Sequence, residues 1–296
     1  MRAPIVLAAA VAAVAALFYR RRRVAREPLH RTRFRPFKLV ERHELSASVR
    51  LFVFQVPYGH SLNLPAGKHL QLTFNERDGA QVLRSYTPTE TSVPGRFDLL
   101  FKVYPNGKMG AYLDAMRVGD RALVRGPTGR VSYSPGRFKV GEQVVACSHI
   151  LMLAGGTGIT PMAQIVKQVL RHAGSDRTRL TLIFASSSPG DVLLYHELAG
   201  FAEKHPAQFK LVFVVSRPTT EWAAKTAATG ASSIVHESGR LTRELVLRHA
   251  PVFIQQRPFP VWAVAGFCGP PGFEACAKGL LESLGFHQPG VNLFRW

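Results

Sequence analysis

Apolar and polar residues alternate in short segments over the first half of the folded part of the chain. Such alternation is typical of half-buried strands, and it predicts strands at Val49–Pro57, His69–Phe74, Phe97–Tyr104 and Asp120–Gly126. Glycine- and proline-containing turns separate these segments, and one helical segment, Met109–Met116, interrupts them. Several short strands at regular spacing predict a small antiparallel β-barrel over residues 34–140.

After Val140 the pattern changes to apolar strands that alternate with helical segments. Strands are predicted at His149–Gly156, Arg179–Ser186, Phe209–Ser216 and Val261–Gly266, and helices at Pro161–Ala173, Leu194–His205, Thr242–Ala250 and Gly272–Leu284. This alternation predicts an α/β domain over residues 141–296, with a parallel sheet covered by helices on both faces. The Ala-, Ser- and Thr-rich segment Thr219–Ser238 is interpreted as a long surface loop.

An unbroken apolar run, Ala3–Tyr19, precedes the barrel and is followed directly by arginines. As a helix it would extend roughly 25 Å, a little less than the ~30 Å hydrocarbon core of a bilayer. A cleaved signal peptide would carry its positive charge before the apolar run, and a mitochondrial targeting arm would have spaced arginines within it. We therefore favour a membrane anchor at residues 1–19 and a basic linker at residues 20–33.

The distribution of charge supports this interpretation. The 296 residues carry a formal charge of +19, of which +9 lies in the first 38 residues, and the remainder has no dense basic run. A nucleic-acid-binding surface is therefore disfavoured. The positive-inside tendency places the folded part in the cytosol, and the sequence does not distinguish the endoplasmic reticulum from the mitochondrial outer membrane.

The cysteines give no sign of a metal site or a disulfide framework. Cys147, Cys268 and Cys276 are few and scattered, and the chain has no Cys-x-x-Cys or His-Glu-x-x-His pair. We therefore expect a reducing compartment and no metal.

Two loops of the α/β domain have the composition of ligand-binding turns. Gly155, Gly156 and Gly158 follow a predicted strand and precede a predicted helix, where a backbone can approach a diphosphate. Thr160 is predicted to cap that helix. The segment Cys268–Gly272 follows another strand of the same sheet. A strand-to-helix turn with a buried thiol is the alternative interpretation of this second loop.

The barrel contains two further candidate segments. Arg84–Thr87 places Arg84 and Tyr86 on one side of a strand, with Ser85 and Thr87 on the other. Gly107–Gly110 offers backbone N–H groups at the start of a helix, where an anion is favoured. An arginine and a helix start in one domain, with a glycine loop in the next, suggest two diphosphates and hence two dinucleotides.

In this order, the segments RSYT, GKMGAYL, GPTG, AGGTGITPM, DVLLYHEL and CGPPG resemble those of the NADH–cytochrome b5 reductases, within the ferredoxin–NADP reductase superfamily. The resemblance extends over some 260 residues, from the segment FKLVERHELSASVRLFVFQVP to the final FRW. It implies an FAD-binding barrel followed by an NAD(P)H-binding sheet, with the flavin between them.

The resemblance also implies which residues hold each coenzyme. The FAD-binding set is Arg84, Ser85, Tyr86, Thr87, Leu100, Lys102, Lys108, Met109, Gly110 and Thr160. The NAD(P)H-binding set is Gly155, Gly156, Thr157, Gly158, Ser216, Arg217, Cys268, Gly269 and Pro270. Within these sets Arg84 pairs with the FAD diphosphate, Thr87 bonds near the reactive flavin nitrogen, and Cys268 lies beside the nicotinamide. Thr87 and Cys268 are the expected catalytic residues.

The implied reaction is hydride transfer from NADH, with NADPH possible, to FAD, followed by single-electron transfer to cytochrome b5 or a similar acidic haem protein. We expect a monomer. Two alternatives stay open: a reductase of the same fold that serves nitrate, a quinone or an oxygenase, and a non-catalytic flavin-bearing scaffold.

Three positions depart from the family pattern. Glu90 stands where a hydroxyl residue is usual, and Gly110 stands where a serine is usual, which predicts FAD binding weaker by about 1 kcal/mol. Many NADH-specific members have an acidic residue at the position of Ser216. The pair Ser216 and Arg217 instead resembles the serine–arginine pair of NADPH-using relatives. Because other NADH-using relatives also carry it, NADH is expected as the preferred coenzyme.

Overall fold

A computed structural model describes residues 28–227, 232–251, 262–287 and 292–296 of the chain. The first part contains a six-stranded antiparallel sheet formed by β1 (Arg35–Glu44), β2 (Val49–Gln55), β3 (His69–Asn75), β4 (Gln81–Tyr86), β5 (Arg96–Lys102) and β6 (Arg121–Thr128). The strand order is β4-β3-β6-β1-β2-β5. An antiparallel bridge between Glu90 and Asp98 joins the chain beyond edge strand β4 to edge strand β5. The sheet therefore curls until its two edges meet.

Phenylalanines on the inner face of this sheet form its core. Phe37, Phe52, Phe54, Phe97 and Phe101 are almost fully buried, because alternate residues of a strand point to the same face. Phe54 stacks on Phe97 with ring centroids 5.3 Å apart, and Phe52 meets Phe101 edge-on at 4.9 Å. The predicted alternation is thus the pattern of a sheet with one buried face.

Helix α1 (Lys108–Asp114) follows β5, as the sequence predicted, and packs on the sheet through Tyr112. The Tyr112 ring stacks on Phe74, with centroids 4.2 Å apart. The start of α1 consequently lies beside strands β4 and β5.

A small antiparallel sheet connects the two halves of the chain: β7 (Val131–Ser134), β8 (Arg137–Val140) and β9 (Gln143–Ala146). The side chains of Tyr133 and Phe138 are buried together with those of the second half, and the Tyr133 hydroxyl donates to Asp176 at 2.7 Å. The domain boundary predicted after residue 140 falls inside this sheet, between β8 and β9.

The second half is a six-stranded parallel sheet in the order β13-β12-β11-β10-β14-β15. Its strands are β10 (His149–Gly155), β11 (Arg179–Ser186), β12 (Phe209–Val215), β13 (Ile234–Ser238), β14 (Ala263–Cys268) and β15 (Leu293–Arg295). Helices α2 (Ile159–Arg171), α3 (Tyr195–Lys204), α4 (Thr220–Ala227), α5 (Arg243–His249) and α6 (Pro271–Ser283) connect them.

Both faces of this sheet are buried, as predicted for a helix-covered parallel sheet. Along β10, Ile150 and Met152 belong to one hydrophobic cluster, whereas Leu151 and Leu153 belong to another. All four are at most 1% exposed. Burial on both sides explains why β10 is an uninterrupted apolar run rather than an alternating one.

The prediction of a long loop at Thr219–Ser238 is wrong. The segment contains α4 and β13, and residues 228–231 between them lie outside the described residues. Trp222 is 5% exposed and its indole N–H donates to the carbonyl of Glu237 at 3.1 Å, which ties α4 to β13. Alanine-rich sequence is favourable to a helix, and the buried Trp222 packs this one against β13, where its ring meets His236 edge-on.

Helix α2 joins the two halves through one face. Gln164 accepts from the N–H of Gly67 at 2.7 Å, and the Lys167 ammonium donates to the carbonyl of Thr89. Arg171 pairs with Glu90 at 2.8 Å. Residues three and four apart share a helix face, so these side chains form a continuous polar contact with the antiparallel sheet.

The predicted anchor, residues 1–19, and the linker residues 20–27 lie outside the described residues. Among the residues that are described, no helix has the length and apolar character that crossing a bilayer requires.

Candidate functional site

A cavity of about 910 Å³, here called the larger cavity, opens where edge strands β4 and β5 face the parallel sheet. All ten residues predicted to bind FAD line it, and they come from β4 (Arg84, Ser85, Tyr86) and the residue after it (Thr87), β5 (Leu100, Lys102), α1 (Lys108, Met109, Gly110) and α2 (Thr160). Thr157, Gly158, Cys268, Gly269 and Pro270 line the same cavity from the parallel sheet. The structure thus brings two distant sequence regions to one place.

The antiparallel side of the larger cavity offers positive charge and free N–H groups. Arg84 is exposed, and its guanidinium donates to the carbonyl of Leu83 at 2.7 Å. The first N–H groups of α1 have no intrahelical acceptor, and its N-cap, Gly107, provides no side-chain cap. These donors suit an anion. The ammonium of Lys108 pairs instead with Glu76 at 2.6 Å, and this bond raises the pKa of Lys108.

Tyr86 provides an aromatic surface at the cavity. Its ring meets Phe101 edge-on, with centroids 6.4 Å apart. Burial raises the pKa of Tyr86 to about 12, so the phenol stays neutral at physiological pH. The side chain can therefore pack against a flat ring and donate a hydrogen bond without carrying charge.

The glycine-rich turn fits tightly against the loop that carries Cys268. Gly156–Gly158 forms a 3₁₀ turn between β10 and α2. A Cβ at Gly158 would overlap the carbonyl of Cys268, and Gly156 has a φ of 54°, in the left-handed region. Both glycines are therefore required by the backbone itself.

The prediction that Thr160 caps α2 is wrong. The N-cap is Gly158, and the Thr160 hydroxyl donates to the carbonyl of Thr157 at 3.2 Å. The 3₁₀ turn starts the helix earlier than the sequence suggested, so Thr160 lies in its first turn. There it is buried and lines the larger cavity.

Cys268 is held as a neutral thiol. Burial, with the nearby Glu274, raises the pKa of Cys268 to about 12 against the opposing effect of Arg295. Because a thiolate is the nucleophilic form, this environment suits a packing contact with a ligand and not covalent catalysis. The Arg295 guanidinium pairs with Glu274 at 2.7 Å.

The chain end also lines the larger cavity, and the sequence analysis did not find it. Trp296 packs against Phe138 and Phe294, with centroids 6.0 Å away in each case. A Cβ at Gly266 on β14 would overlap the Trp296 ring, so this glycine makes room for the indole. The available signal was an aromatic residue just after the last strand of a sheet whose strand ends bind ligands.

A second cavity of about 460 Å³, here called the smaller cavity, adjoins the first. It is lined by Gly155, Gly156, Ser186, Ser187, Asp191, Ser216, Gly239, Arg240, Leu241, Pro270 and Phe273, among others. Lys102, Tyr104 and Pro270 border both cavities. Arg217, predicted to bind NAD(P)H, lines neither of them. Arg240 was missed because it follows β13, a strand that the sequence analysis did not predict.

An ion pair lies where the two cavities meet. Lys102 of β5 pairs with Asp191 of the parallel-sheet half at 3.4 Å. A hydrogen bond from Ser188, with Lys102 close by, lowers the pKa of Asp191. Asp191 therefore stays ionised, and its charge is balanced by a residue that borders both cavities.

Comparisons with known proteins match a different family model to each half of the chain. The family model described as "Oxidoreductase FAD-binding domain" matches residues 36–133, and that described as "Oxidoreductase NAD-binding domain" matches residues 152–279. NADH–cytochrome b5 reductase 1 of Arabidopsis thaliana is 36% identical over 283 residues, which cover 94% of this chain and 89% of that protein. NADH–cytochrome b5 reductase 1 of Dictyostelium discoideum is 35% identical over 88% of this chain and 82% of that protein.

Among solved structures, the cytochrome b5 reductase domain of Ulva prolifera nitrate reductase superimposes with a TM-score of 0.77 at 31% identity. The match covers 91% of this chain and 99% of that one. The CS-b5R domains of human Ncb5or share the fold, with a TM-score of 0.67 at 23% identity over 88% of this chain and 69% of that one.

Proposed function

This chain belongs to the NADH–cytochrome b5 reductase family, and from that premise we propose that it is a membrane-anchored, monomeric enzyme that passes electrons from NADH to cytochrome b5 through FAD. The observation that carries the proposal is the meeting of all ten predicted FAD residues in the larger cavity, directly beside a second cavity at the nucleotide-binding edge of the parallel sheet.

The residues present fit FAD. The larger cavity has about 910 Å³, which is within the usual range of roughly 300–1,000 Å³ for ligand pockets. It combines an exposed arginine and an uncapped helix start for a diphosphate with a half-buried, neutral tyrosine for a ring system. When bound, FAD supplies the conversion of a two-electron hydride donor into single-electron transfers.

Each wall has its own part in this scheme. Arg84 and the N–H groups of Met109 and Gly110 hold the diphosphate, because charge-assisted bonds to an arginine are strong and directional. Tyr86 packs along the flavin, and Thr87 donates a hydrogen bond near its reactive nitrogen. These residues fix position and orientation, which is the contribution of the protein to hydride transfer.

The parallel-sheet wall holds the nicotinamide nucleotide. Gly155 and Gly156 line the smaller cavity, and Gly158 lines the larger one, so the glycine turn spans the path from one cavity to the other. Cys268, as a neutral thiol, packs beside the nicotinamide and excludes water from it. NADH is the proposed coenzyme, with NADPH as a possible second one.

The partner is proposed to be an acidic haem protein. Beyond the first 38 residues the chain still carries a net charge of +10, and opposite charge increases the rate of encounter. The anchor at residues 1–19 would hold the enzyme at the endoplasmic reticulum or the mitochondrial outer membrane, where the positive-inside tendency leaves the folded part in the cytosol.

A second candidate acceptor system has its own support. The reductase domain of Ulva prolifera nitrate reductase matches over 99% of its length, so the same architecture also works as a module that serves another acceptor. In this alternative the external electron acceptor is nitrate, a quinone or an oxygenase component instead of cytochrome b5.

Anaerobic titration of the purified full chain tests the proposal. We expect a yellow protein whose visible flavin absorbance bleaches on addition of NADH, and which then reduces cytochrome b5. A colourless protein, or a yellow one that neither NADH nor NADPH bleaches, would contradict it. Rapid bleaching without reduction of cytochrome b5 would favour the second acceptor system.

A further inference from the structure

The two middle strands of the antiparallel sheet, β1 and β6, share a row of side chains on the outer face of the barrel. Strand pairing sets Lys38 opposite Arg121 and Pro36 opposite Leu123, and the residue between each pair along its strand is buried in the core. At one end of the row the guanidinium of Arg125 lies over a phenylalanine ring, 4.6 Å from its centroid. The row, here called the outer strip, consists of Phe34, Pro36, Lys38, Arg121, Leu123 and Arg125.

The positive charge of the outer strip is not balanced by acidic side chains. Its three cations form no ion pair among the described residues. Asp120, which precedes β6, accepts from a backbone N–H, and Glu41, farther along β1, pairs with Arg96. Lys38 faces Arg121 directly, and like charges at opposed positions of an antiparallel pair are destabilising. The strip therefore holds uncompensated positive charge that an anionic surface would stabilise.

Apolar surface is exposed between and beside these cations. Leu123 is 41% exposed, and Pro36 opposite it is exposed as well. Val118, in the turn that leads into β6, is 60% exposed. That turn is bonded to β1, because the N–H of Gly119 donates to the carbonyl of Leu39 at 2.8 Å. Peripheral binding to a bilayer combines such apolar contact with attraction to anionic lipids.

The start of the described chain lies beside the outer strip. The carbonyl of His30 accepts from the N–H of Gly126, near the end of β6, at 3.1 Å, and Leu29 is buried. Only eight residues, 20–27, separate the described chain from the anchor proposed at residues 1–19, and eight residues span at most roughly 29 Å. A bilayer that holds the anchor must therefore lie close to the part of the barrel that carries the strip.

The outer strip lies on the opposite side of the barrel from the cavities. In the strand order β4-β3-β6-β1-β2-β5 the sheet closes where its edges meet, and the larger cavity opens at edge strands β4 and β5. Strands β6 and β1 are the farthest from that edge. An electron acceptor has to approach the flavin, so this face does not suit a haem protein. A membrane on this face leaves the cavities open to water.

We propose that the outer strip docks the folded part of the enzyme on an anionic lipid surface, with its cations against the headgroups and Leu123 between them. This inference rests on the proposed membrane anchor and adds the surface by which the folded part lies against the membrane. Each lysine or arginine close to an anionic bilayer strengthens binding roughly fivefold, so three such cations orient a protein that is already tethered.

Quenching of a fluorescent label by spin-labelled lipid headgroups measures docking of the full-length holoenzyme. The label is placed at Gln55→Cys in a Cys276→Ser background, because Gln55 is exposed and pairs with Lys38 across β1 and β2. On vesicles with about 30% phosphatidylserine we expect quenching that disappears at about 0.5 M salt and on phosphatidylcholine vesicles. The native Cys276, exposed on α6, should stay unquenched when it carries the label instead.

Neutral variants of the strip test its charge. Lys38→Gln combined with Arg121→Gln should lower the ratio of docked to undocked enzyme roughly 30-fold, because two cations are removed. The matched control is Arg177→Gln combined with Lys204→Gln, two exposed cations of the parallel-sheet half that form no ion pair among the described residues, and it should dock like the wild type. A wild-type label that anionic vesicles do not quench, or equal losses in the two double variants, would overturn the inference.

Two further measurements separate this inference from the proposed function and from a protein partner. Flotation with phosphatidylcholine vesicles reports the anchor alone, and bleaching of the flavin by NADH reports the reaction, so either can fail while the strip still docks on anionic vesicles. In detergent, the double strip variant should reduce soluble cytochrome b5 with the kcat/KM of the wild type. A decrease there as large as the loss of docking would assign the strip to the haem protein and overturn the inference.

Discussion

The larger cavity takes its two walls from different parts of the molecule, and the walls are built differently. The antiparallel wall presents side chains, with Arg84 and Tyr86 on an edge strand. The parallel wall is largely backbone, because a side chain at Gly158 would overlap the Cys268 loop and one at Gly269 would meet Phe273. One wall is therefore sensitive to the removal of side chains, and the other to their addition.

This difference follows from what each wall must do. The antiparallel wall lies at the open edge of a curled sheet, where side chains project from a rigid backbone, so chemical groups can be placed there with little cost in packing. The parallel wall lies where strand ends and helix starts converge, and close approach of one backbone to another needs residues without a Cβ.

The largest effect is expected for Gly158→Ala. The new Cβ would overlap a backbone carbonyl, which cannot move away as a side chain can, so we expect a loss of about 3 kcal/mol in the free energy of unfolding. Denaturant unfolding of the holoenzyme measures it. Gly279→Ala is the control, since that exposed glycine of α6 has open space around its Cβ position, and the change should stabilise by about 0.5–1 kcal/mol. Similar midpoints for Gly158→Ala and the wild type would contradict a backbone-packed wall.

Arg84→Ala tests the other wall and should leave the fold intact. Arg84 is exposed on edge strand β4, so its loss removes charge-assisted bonds to the FAD diphosphate without opening a core. We expect FAD to bind about 10- to 100-fold more weakly, measured by the fluorescence of released flavin, with an unchanged unfolding midpoint of the apoprotein. Arg77→Ala, also exposed but away from the cavity, should retain FAD. Equal FAD loss in both variants would exclude a specific role for Arg84.

The two walls also differ in how far the sequence could predict them. Arg84–Thr87 and Gly155–Gly158 are local motifs at strand ends, and their meeting follows once a barrel and a parallel sheet are predicted. Trp296 and Arg240 could not be found this way, because they reach the cavities through the strand order β13-β12-β11-β10-β14-β15, which no local pattern encodes. The segment containing α4 was missed because an alanine- and serine-rich stretch is compatible with a loop until Trp222 is seen to be buried.

The ion pair between Glu90 of the antiparallel half and Arg171 of α2 predicts an acid-dependent loss of stability. Burial alone would raise the pKa of Glu90, but hydrogen bonds from Arg171 and Ser92 lower it to about 2. A carboxyl whose pKa is lower in the folded state stabilises the protein above its unfolded pKa, about 4.3–4.5, and this contribution is lost as the pH falls from there towards 2.

Because the Arg171 side chain is 42% exposed and solvent screens the pair, we expect the contribution to be about 1–2 kcal/mol. Glu90→Gln should therefore flatten the decrease in the free energy of unfolding between about pH 4.5 and pH 2. If the free energy of unfolding falls equally steeply with pH in the variant and the wild type across this range, the charge of Glu90 does not couple the two halves of the chain. Glu142→Gln is the control, because Glu142 is almost fully exposed and forms an exposed ion pair with its neighbour Lys139 at 3.5 Å.

The smallest effect is expected at Gly110, the one glycine of the antiparallel wall that departs from the family pattern. A Cβ there would lie 3.4 Å from the carbonyl of Lys102 and the Cα of Val103, which is at the limit of ordinary contact, so packing does not require this glycine as it does Gly158. Gly110→Ser should therefore fold normally and add one hydrogen bond to the FAD diphosphate, strengthening FAD binding by about 1 kcal/mol, or roughly fivefold. Gly110→Ala separates the hydroxyl from the Cβ and should not strengthen binding. A destabilised Gly110→Ser would mean that backbone packing restricts both walls, and that the difference between them is one of degree.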